Sequence, residues 1–225
     1  MALIAVGAII IVVALIIPGL SQTPTDDVEL PEIVEFPEII VPTPREHPMA
    51  DDNTMGDPNA LVVIEEFSDF QCSHCRNFFR DTEPLIINEY IATGQVYFIY
   101  RSWGDSPGGD SGRAMEAAYC AGDENKFWEM HDIIYANFSA GDSGGYSTVR
   151  LTAMGEAIGL DVNTFEDCLK DKKYRDRVAE DQSAAQEKGV QGTPSFFIND
   201  EFVEGNAPYD TFRTFIEAAL SPQGD

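Results

Sequence analysis

Positive charge is scarce in this 225-residue chain: 14 Lys and Arg stand against 39 Asp and Glu, a formal charge of −25. That excludes non-specific nucleic-acid binding, which rests on Lys and Arg neutralising phosphates. Cysteine is sparse as well. Four are too few for a disulfide scaffold, yet enough for two pairs. Gly104–Gly112 (GDSPGGDSG) has no Lys-Ser/Thr after it, so it reads as a turn rather than a phosphate loop. What is present is ordinary for a folded protein. At 44% apolar and 11% aromatic, wholesale disorder and collagen-like repeats are excluded, and the length allows one or two domains around a sizeable core.

Residues 1–20 (MALIAVGAIIIVVALIIPGL) carry no charge at all. The apolar run to Ile17 would give roughly 26 Å of helix at about 1.5 Å per residue, near the lower limit for a bilayer core of about 30 Å. A soluble core helix would show a polar face, and this one has none. Two readings are open, a cleaved signal peptide or an uncleaved transmembrane anchor. The missing basic n-region and the lack of an A-x-A site favour the anchor. No Cys lies near, which excludes lipid attachment there. Residues 21–58 hold Pro24, Pro31, Pro37, Pro42, Pro44, Pro48 and Pro58, with Arg45 as their one basic residue. Closely spaced prolines favour extended polyproline backbone, and like charges keep it stretched. The segment reads as an acidic tether, with His47 solvated within it.

A compact domain is expected over 59–222. Ala60–Phe67 is a short, β-branched apolar run that predicts a buried strand. Residues 72–92 predict a helix kinked at Pro84, and Gln95–Trp103 a second strand. From about 106 to 188 the pattern turns helical, with pieces near 111–121, 123–138, 146–159, 162–169 and 171–188. Ser195–Ile198 and Glu201–Val203 read as a hairpin around Asn199-Asp200, followed by a closing helix over 210–220. This is an α/β sheet with an inserted α-helical subdomain.

Cys72-Ser73-His74-Cys75 lies directly after the first strand and opens the first helix. An i, i+3 spacing puts both sulfurs on one helix face, close enough to bond. Free N–H groups and the helix dipole favour a thiolate at Cys72, and His74 is placed to add charge or a hydrogen bond to it. Stabilising the reduced thiolate makes the disulfide a better oxidant. Cys75, deeper in, would be the resolving thiol. One Cys-x-x-Cys is also half of a tetrahedral zinc site, but no second ligand spacing supplies the other half, so redox chemistry without a metal or organic cofactor is the preferred reading.

Three stretches in this order, FSDFQCSHCRNF (67–78), KFWEMHD (126–132) and GVQGTPSFFIN (189–199), resemble the DsbA-like branch of the thioredoxin superfamily, the extracytoplasmic disulfide oxidoreductases. The likeness spans about 58–222. It implies a thioredoxin fold with a helical insert, Cys72 as nucleophile and Cys75 as resolving cysteine. Thr193-Pro194 matches the loop whose cis-proline faces the active disulfide and whose backbone pairs with a substrate strand. Glu66 matches the buried acid that takes the proton from Cys75. A poorly solvated carboxylate there is expected to have a raised pKa, and strand alternation puts Glu65 on the opposite face; a solvated edge-strand acid is the plainer alternative. Ser73 departs from the Pro or Tyr common in the family and leaves the strength of the oxidant open. Cys120 and Cys168 are either a structural disulfide, as in some relatives, or packed free thiols. Such a bond persists outside the cytosol.

The resemblance further implies reduced exported proteins as substrates and reoxidation by a membrane quinone-linked partner of the DsbB or vitamin K epoxide reductase type. With the N-terminal anchor, the catalytic domain is placed on the extracytoplasmic side. A disulfide reductase or isomerase of the same fold, and a tethered binding module with structural cysteines, are the competing functions. Other signals are set aside. Gly141-Asp142-Ser143-Gly144-Gly145 spells a serine-protease motif, but in a helical stretch rather than on a β-barrel scaffold. His131, among Phe127, Trp128 and Tyr135, is expected in the core.

Overall fold

Alternation along two long strands sets the architecture. In the computed structural model, which describes residues 38–104, 109–139 and 144–221, β2 (Val62–Ser68) runs parallel to β3 (Val96–Ser102). Val62, Ile64, Val96, Phe98 and Tyr100 point into the main core, whereas Phe67 belongs to a second, smaller apolar cluster with Ala185 and Val190. Glu66 and Ser68 share the main-core face with Ile64 by the same two-residue period. A short strand, β1 (Thr54–Met55), borders β3. Beyond β2 lie β4 (Ser195–Ile198) and β5 (Glu201–Glu204), giving the order β1-β3-β2-β4-β5 with only the β2–β3 pair parallel. β2 is therefore central, covered on both faces, and the edge-strand alternative for Glu66 falls.

The helix expected over 72–92 is three pieces: α1 (Ser73–Asp81), α2 (Glu83–Ile86) and a π-helical turn, Ile87–Ile91. The break comes at Thr82, and Pro84 sits in the first turn of α2. A proline there loses no hydrogen bond, because first-turn N–H groups have no intrahelical partner. Between β3 and β4 the inserted helices are α3 (Asp110–Gly122), α4 (Phe127–Ala136), α5 (Thr148–Ala157), α6 (Val162–Lys170) and α7 (Arg175–Glu187); α8 (Tyr209–Leu220) follows the hairpin. Cys120 on α3 and Cys168 on α6 are bonded, with Cα atoms 6.0 Å apart. This settles the choice left open by the sequence.

The extended stretch begins to pack earlier than the sequence predicts. Ile39 lies against the core. The Asn137 side chain brackets Ile40, accepting from its N–H and donating to its carbonyl, both at 2.8 Å. Arg45 lies over the Phe79 ring and forms ion pairs with buried Glu83 (3.1 Å) and Asp132 (3.6 Å). His47 is half-buried rather than solvated, its side chain stacked on Trp128 and 3.3 Å from Asp132. Two buried carboxylates demand counter-charge, and the otherwise acidic segment supplies it with its only Arg. The chain then leaves β1 through Gly56, at φ 95°, where a Cβ would stand 2.2 Å from the Val96 carbonyl oxygen. The boundary at 58 therefore falls inside packed structure. The anchor (1–20), the first part of the tether (21–37) and most of the Gly-Asp-Ser-Gly-Gly motif (141–143) lie outside the described residues. Among the described residues no helix is long and apolar enough to cross a membrane.

Candidate active site

Cys72 is the N-cap of α1, with extended backbone (φ −83°, ψ 121°) that aims its side chain off the helix start. It is half-buried and Cys75 is fully buried; both are free thiols. The Cys72 thiol donates to the Thr193 carbonyl at 3.3 Å. That carbonyl belongs to the one cis peptide bond among the described residues, Thr193–Pro194. The loop matched by resemblance therefore stands directly against the first cysteine, 121 residues away in sequence.

The two sulfurs differ sharply in acidity. Cys72 is lowered from 9.0 to about 5, chiefly by a hydrogen bond from Cys75, opposed by partial burial and helped by the Thr193 side chain and the backbone N–H groups of Cys75 and His74. Burial pushes the Cys75 thiol up, and the charges of Cys72 and Glu66 push the same way. The helix N-terminus contributes as the sequence predicts, but the neighbouring thiol contributes more. His74 acts here through its backbone; its side chain is exposed. The sign with pH follows. A depressed pKa means that ionised Cys72 stabilises the reduced form above about pH 9 and that this stabilisation is lost as pH falls toward about 5. The thiolate absorbance of the reduced chain is expected to titrate with a midpoint near 5, a signal that Cys72→Ser abolishes. A midpoint in the ordinary thiol range would contradict this geometry.

Beneath the pair sits Glu66, 1% exposed, its carboxyl held well above the usual range by burial, with the charge of Glu83 adding to the effect. Its Oε2 finds no hydrogen-bond partner among the described residues. Glu65, on the other face, pairs with Arg101 and with Lys188 at 2.7 Å. Sequence reading missed the hydroxyls around Glu66. Ser68, 2% exposed, shares a hydrogen bond with Tyr135 (Oγ to OH 3.1 Å), which bonds Tyr100 in turn (2.9 Å). The only sequence signal for Ser68 was its place two residues after Glu66 on the same strand.

One cluster has the donor set of a metal site. Glu83, His131 and Asp132 offer ligand atoms within 4.8 Å of one another, all buried. Arg45 stands at the same carboxylates, and His131 lies 3.1 Å from Asp132. Hydrogen bonds from His131 and His47 hold the Asp132 carboxyl at about 2 against the opposing effect of burial. Arg45 thus supplies counter-charge of the kind a metal would bring. His131 is in the core as expected, ringed by Phe70, Phe79, Tyr100, Trp128 and Tyr135.

Comparison with known proteins gives a consistent set. A family model described as thioredoxin matches residues 49–218. A Na(+)/H(+) antiporter NhaA 1 of Salinispora arenicola is 29% identical over 76% of this chain, which spans only 25% of that protein. The chain thus covers about a quarter of the first curated relatives it matches. A probable disulfide bond formation protein D of Bacillus cereus is 31% identical over 74% of this chain and 78% of its own length. The crystal structure of oxidised BdbD from Bacillus subtilis covers 77% of this chain and 96% of its own, with a TM-score of 0.70 at 24% identity, and shares the fold.

Proposed function

Because this chain belongs to the thioredoxin family, in its DsbA-like branch, we propose that it catalyses disulfide formation in exported proteins through the Cys72–Cys75 pair. The observation that carries the reading is the split in acidity between the two sulfurs, one ionising at about 5 and the other held up by burial. A stable Cys72 thiolate is a good leaving group and lowers the energy of the reduced enzyme, so the disulfide is driven to oxidise others. A substrate thiolate attacks Cys72 Sγ, the Cys72–Cys75 bond breaks, and Cys75 leaves with the electron pair and takes up a proton. The substrate's second thiolate then attacks its own mixed disulfide and releases Cys72 as the thiolate. The substrate loses two electrons and the pair gains two.

Thr193 and Pro194 fit the role of substrate seat. The contact between the Cys72 thiol and the Thr193 carbonyl supports this reading, in which the backbone of that loop pairs with an extended peptide and holds its cysteine in line. Glu66 fits the role of proton acceptor for Cys75. The remaining assignments come from family and sequence: reoxidation by a membrane quinone-linked partner, an anchor over residues 1–20, and a catalytic domain outside the cytoplasm. The Cys120–Cys168 bond supports that side of the membrane, since structural disulfides persist in oxidising compartments. Equilibrating the pair against reduced and oxidised glutathione tests the direction. An oxidising equilibrium constant is expected. A strongly reducing one would replace the oxidase with a reductase or isomerase.

A further inference from the structure

The loop that leads to the nucleophile, residues 69–72 between β2 and α1, is held from two sides by the helical insert. Asp69 first folds the loop on itself. Its carbonyl accepts from the Cys72 N–H at 3.0 Å, and its Oδ1 accepts from the Gln71 N–H at 2.7 Å. A carboxylate bonded to the backbone two residues on is an Asx turn, which fixes the local path of the chain. The same Oδ1 accepts from the hydroxyl of Ser111, buried in the first turn of α3. Gly104 permits this approach, since a Cβ there would stand 2.6 Å from Ser111 Oγ and 2.8 Å from the Asp69 carboxyl carbon. On the other side Tyr146, fully buried just before α5, donates its hydroxyl to the Phe70 carbonyl at 3.0 Å. That hydroxyl in turn accepts from the Ser139 N–H at 3.3 Å.

The reacting sulfur depends on this path. Cys72 makes no side-chain capping bond, so its backbone angles alone set the sulfur at the start of α1 and 3.3 Å from the Thr193 carbonyl. The field of a helix end fades within one turn, and misplacement of a reacting group by about 1 Å is costly. We propose that Asp69, tied to Ser111, and Tyr146 are positioning residues that hold loop 69–72 so that the Cys72 sulfur stays at the helix start and against Thr193. The insert then has a part in the chemistry of the pair. The assignment rests on the dithiol reading given above. Charge and position act with opposite sign at Asp69. A carboxylate near a thiolate repels it, so loss of charge alone would make Cys72 more acidic, whereas loss of position makes it less so.

Two measurements on the full chain test this: thiolate absorbance of the reduced form against pH, and equilibration with glutathione. Tyr146→Phe, which keeps the ring, and Asp69→Ala are each expected to raise the Cys72 midpoint by about one pH unit. Asp69→Asn keeps the Oδ1 acceptor and is expected to titrate at or below the wild-type midpoint. In the glutathione exchange the protein disulfide takes two electrons from two glutathione thiolates, which leave joined as glutathione disulfide. A less stable thiolate makes a weaker oxidant, so the equilibrium constant should fall by about tenfold in the same two variants. Cys120→Ala with Cys168→Ala is the control, because it weakens the insert away from the loop; both of its readings are expected at wild-type values. Unshifted midpoints in Tyr146→Phe and Asp69→Ala, or an equal rise in the control, overturn the assignment. A lower midpoint in Asp69→Ala overturns it for Asp69, and Tyr146→Phe decides the matter if Asp69→Ala does not fold. A wild-type chain that exchanges no electrons with glutathione removes the dithiol function itself and the assignment with it. The midpoints of the variants tell that outcome from a failure of positioning alone.

Discussion

Cys72→Ser is expected to lower oxidation of a reduced, unfolded substrate by at least about a thousandfold, with the fold intact. Loss of a covalent nucleophile is among the largest single effects in catalysis, and here the reacting sulfur has no stand-in. Cys75 is fully buried and its thiol is pushed up, so it neither meets substrate nor ionises readily. A serine hydroxyl at the same place neither ionises near neutral pH nor forms a disulfide. Folding should survive for a local reason. Cys72 is the N-cap of α1 and makes no side-chain capping bond there, whereas serine is a favoured N-cap residue. At neutral pH the variant is expected to stay folded but to unfold at a somewhat lower denaturant concentration than the reduced wild type, because serine keeps a cap while the stabilising ionised sulfur is lost. Substrate thiol loss and denaturant midpoints, measured side by side, decide it. Undiminished oxidation would turn the chain into a binding module with structural cysteines.

Removing the second pair should act on the opposite quantity. Cys120→Ala with Cys168→Ala is expected to cost about 4 kcal/mol of stability in the chain-entropy account of a cross-link spanning so long a loop; the two cysteines are 48 residues apart. The melting temperature should drop by roughly 8–16 °C for a domain of this size. Activity at a temperature where the variant is folded should stay close to wild type. The bond ties α3 to α6 inside the helical insert, whereas Cys72 sits between β2 and α1. Thermal melts of the double variant and of wild type under non-reducing conditions check the first part, and substrate oxidation at low temperature the second. A fall of less than about 1 kcal/mol would mean that α3 and α6 are held by packing alone.

Much of the catalytic chemistry was legible in the linear chain because it is local. An i, i+3 cysteine pair opening a helix carries its own geometry, and the two-residue strand period put Glu66 and Glu65 on opposite faces without any tertiary information. Both readings hold in the structure. Thr193 and Pro194 were reached by resemblance; the contact between Thr193 and Cys72, across 121 residues, is one that no local pattern encodes.

The residues that escaped sequence reading share a physical cause. Arg45 and His47 sit in a stretch that reads as solvated tether by composition. Their packing is decided by Glu83 and Asp132, two acids far along the chain that would otherwise lie uncompensated in the interior. The break at Thr82 was misplaced toward Pro84 because a proline in the first turn of a new helix interrupts nothing. Ser68 and Tyr135 looked like ordinary strand and helix residues until β2 and α4 brought their hydroxyls together. The sequence by itself determined where along the first helix the two sulfurs stand and which face of the strand the acid takes, since both follow from spacing along one element. Tertiary structure alone decided how acidic the first sulfur is, which groups surround the buried acid, and where the packed domain begins, because each depends on charges and hydrogen bonds between segments that meet only on folding.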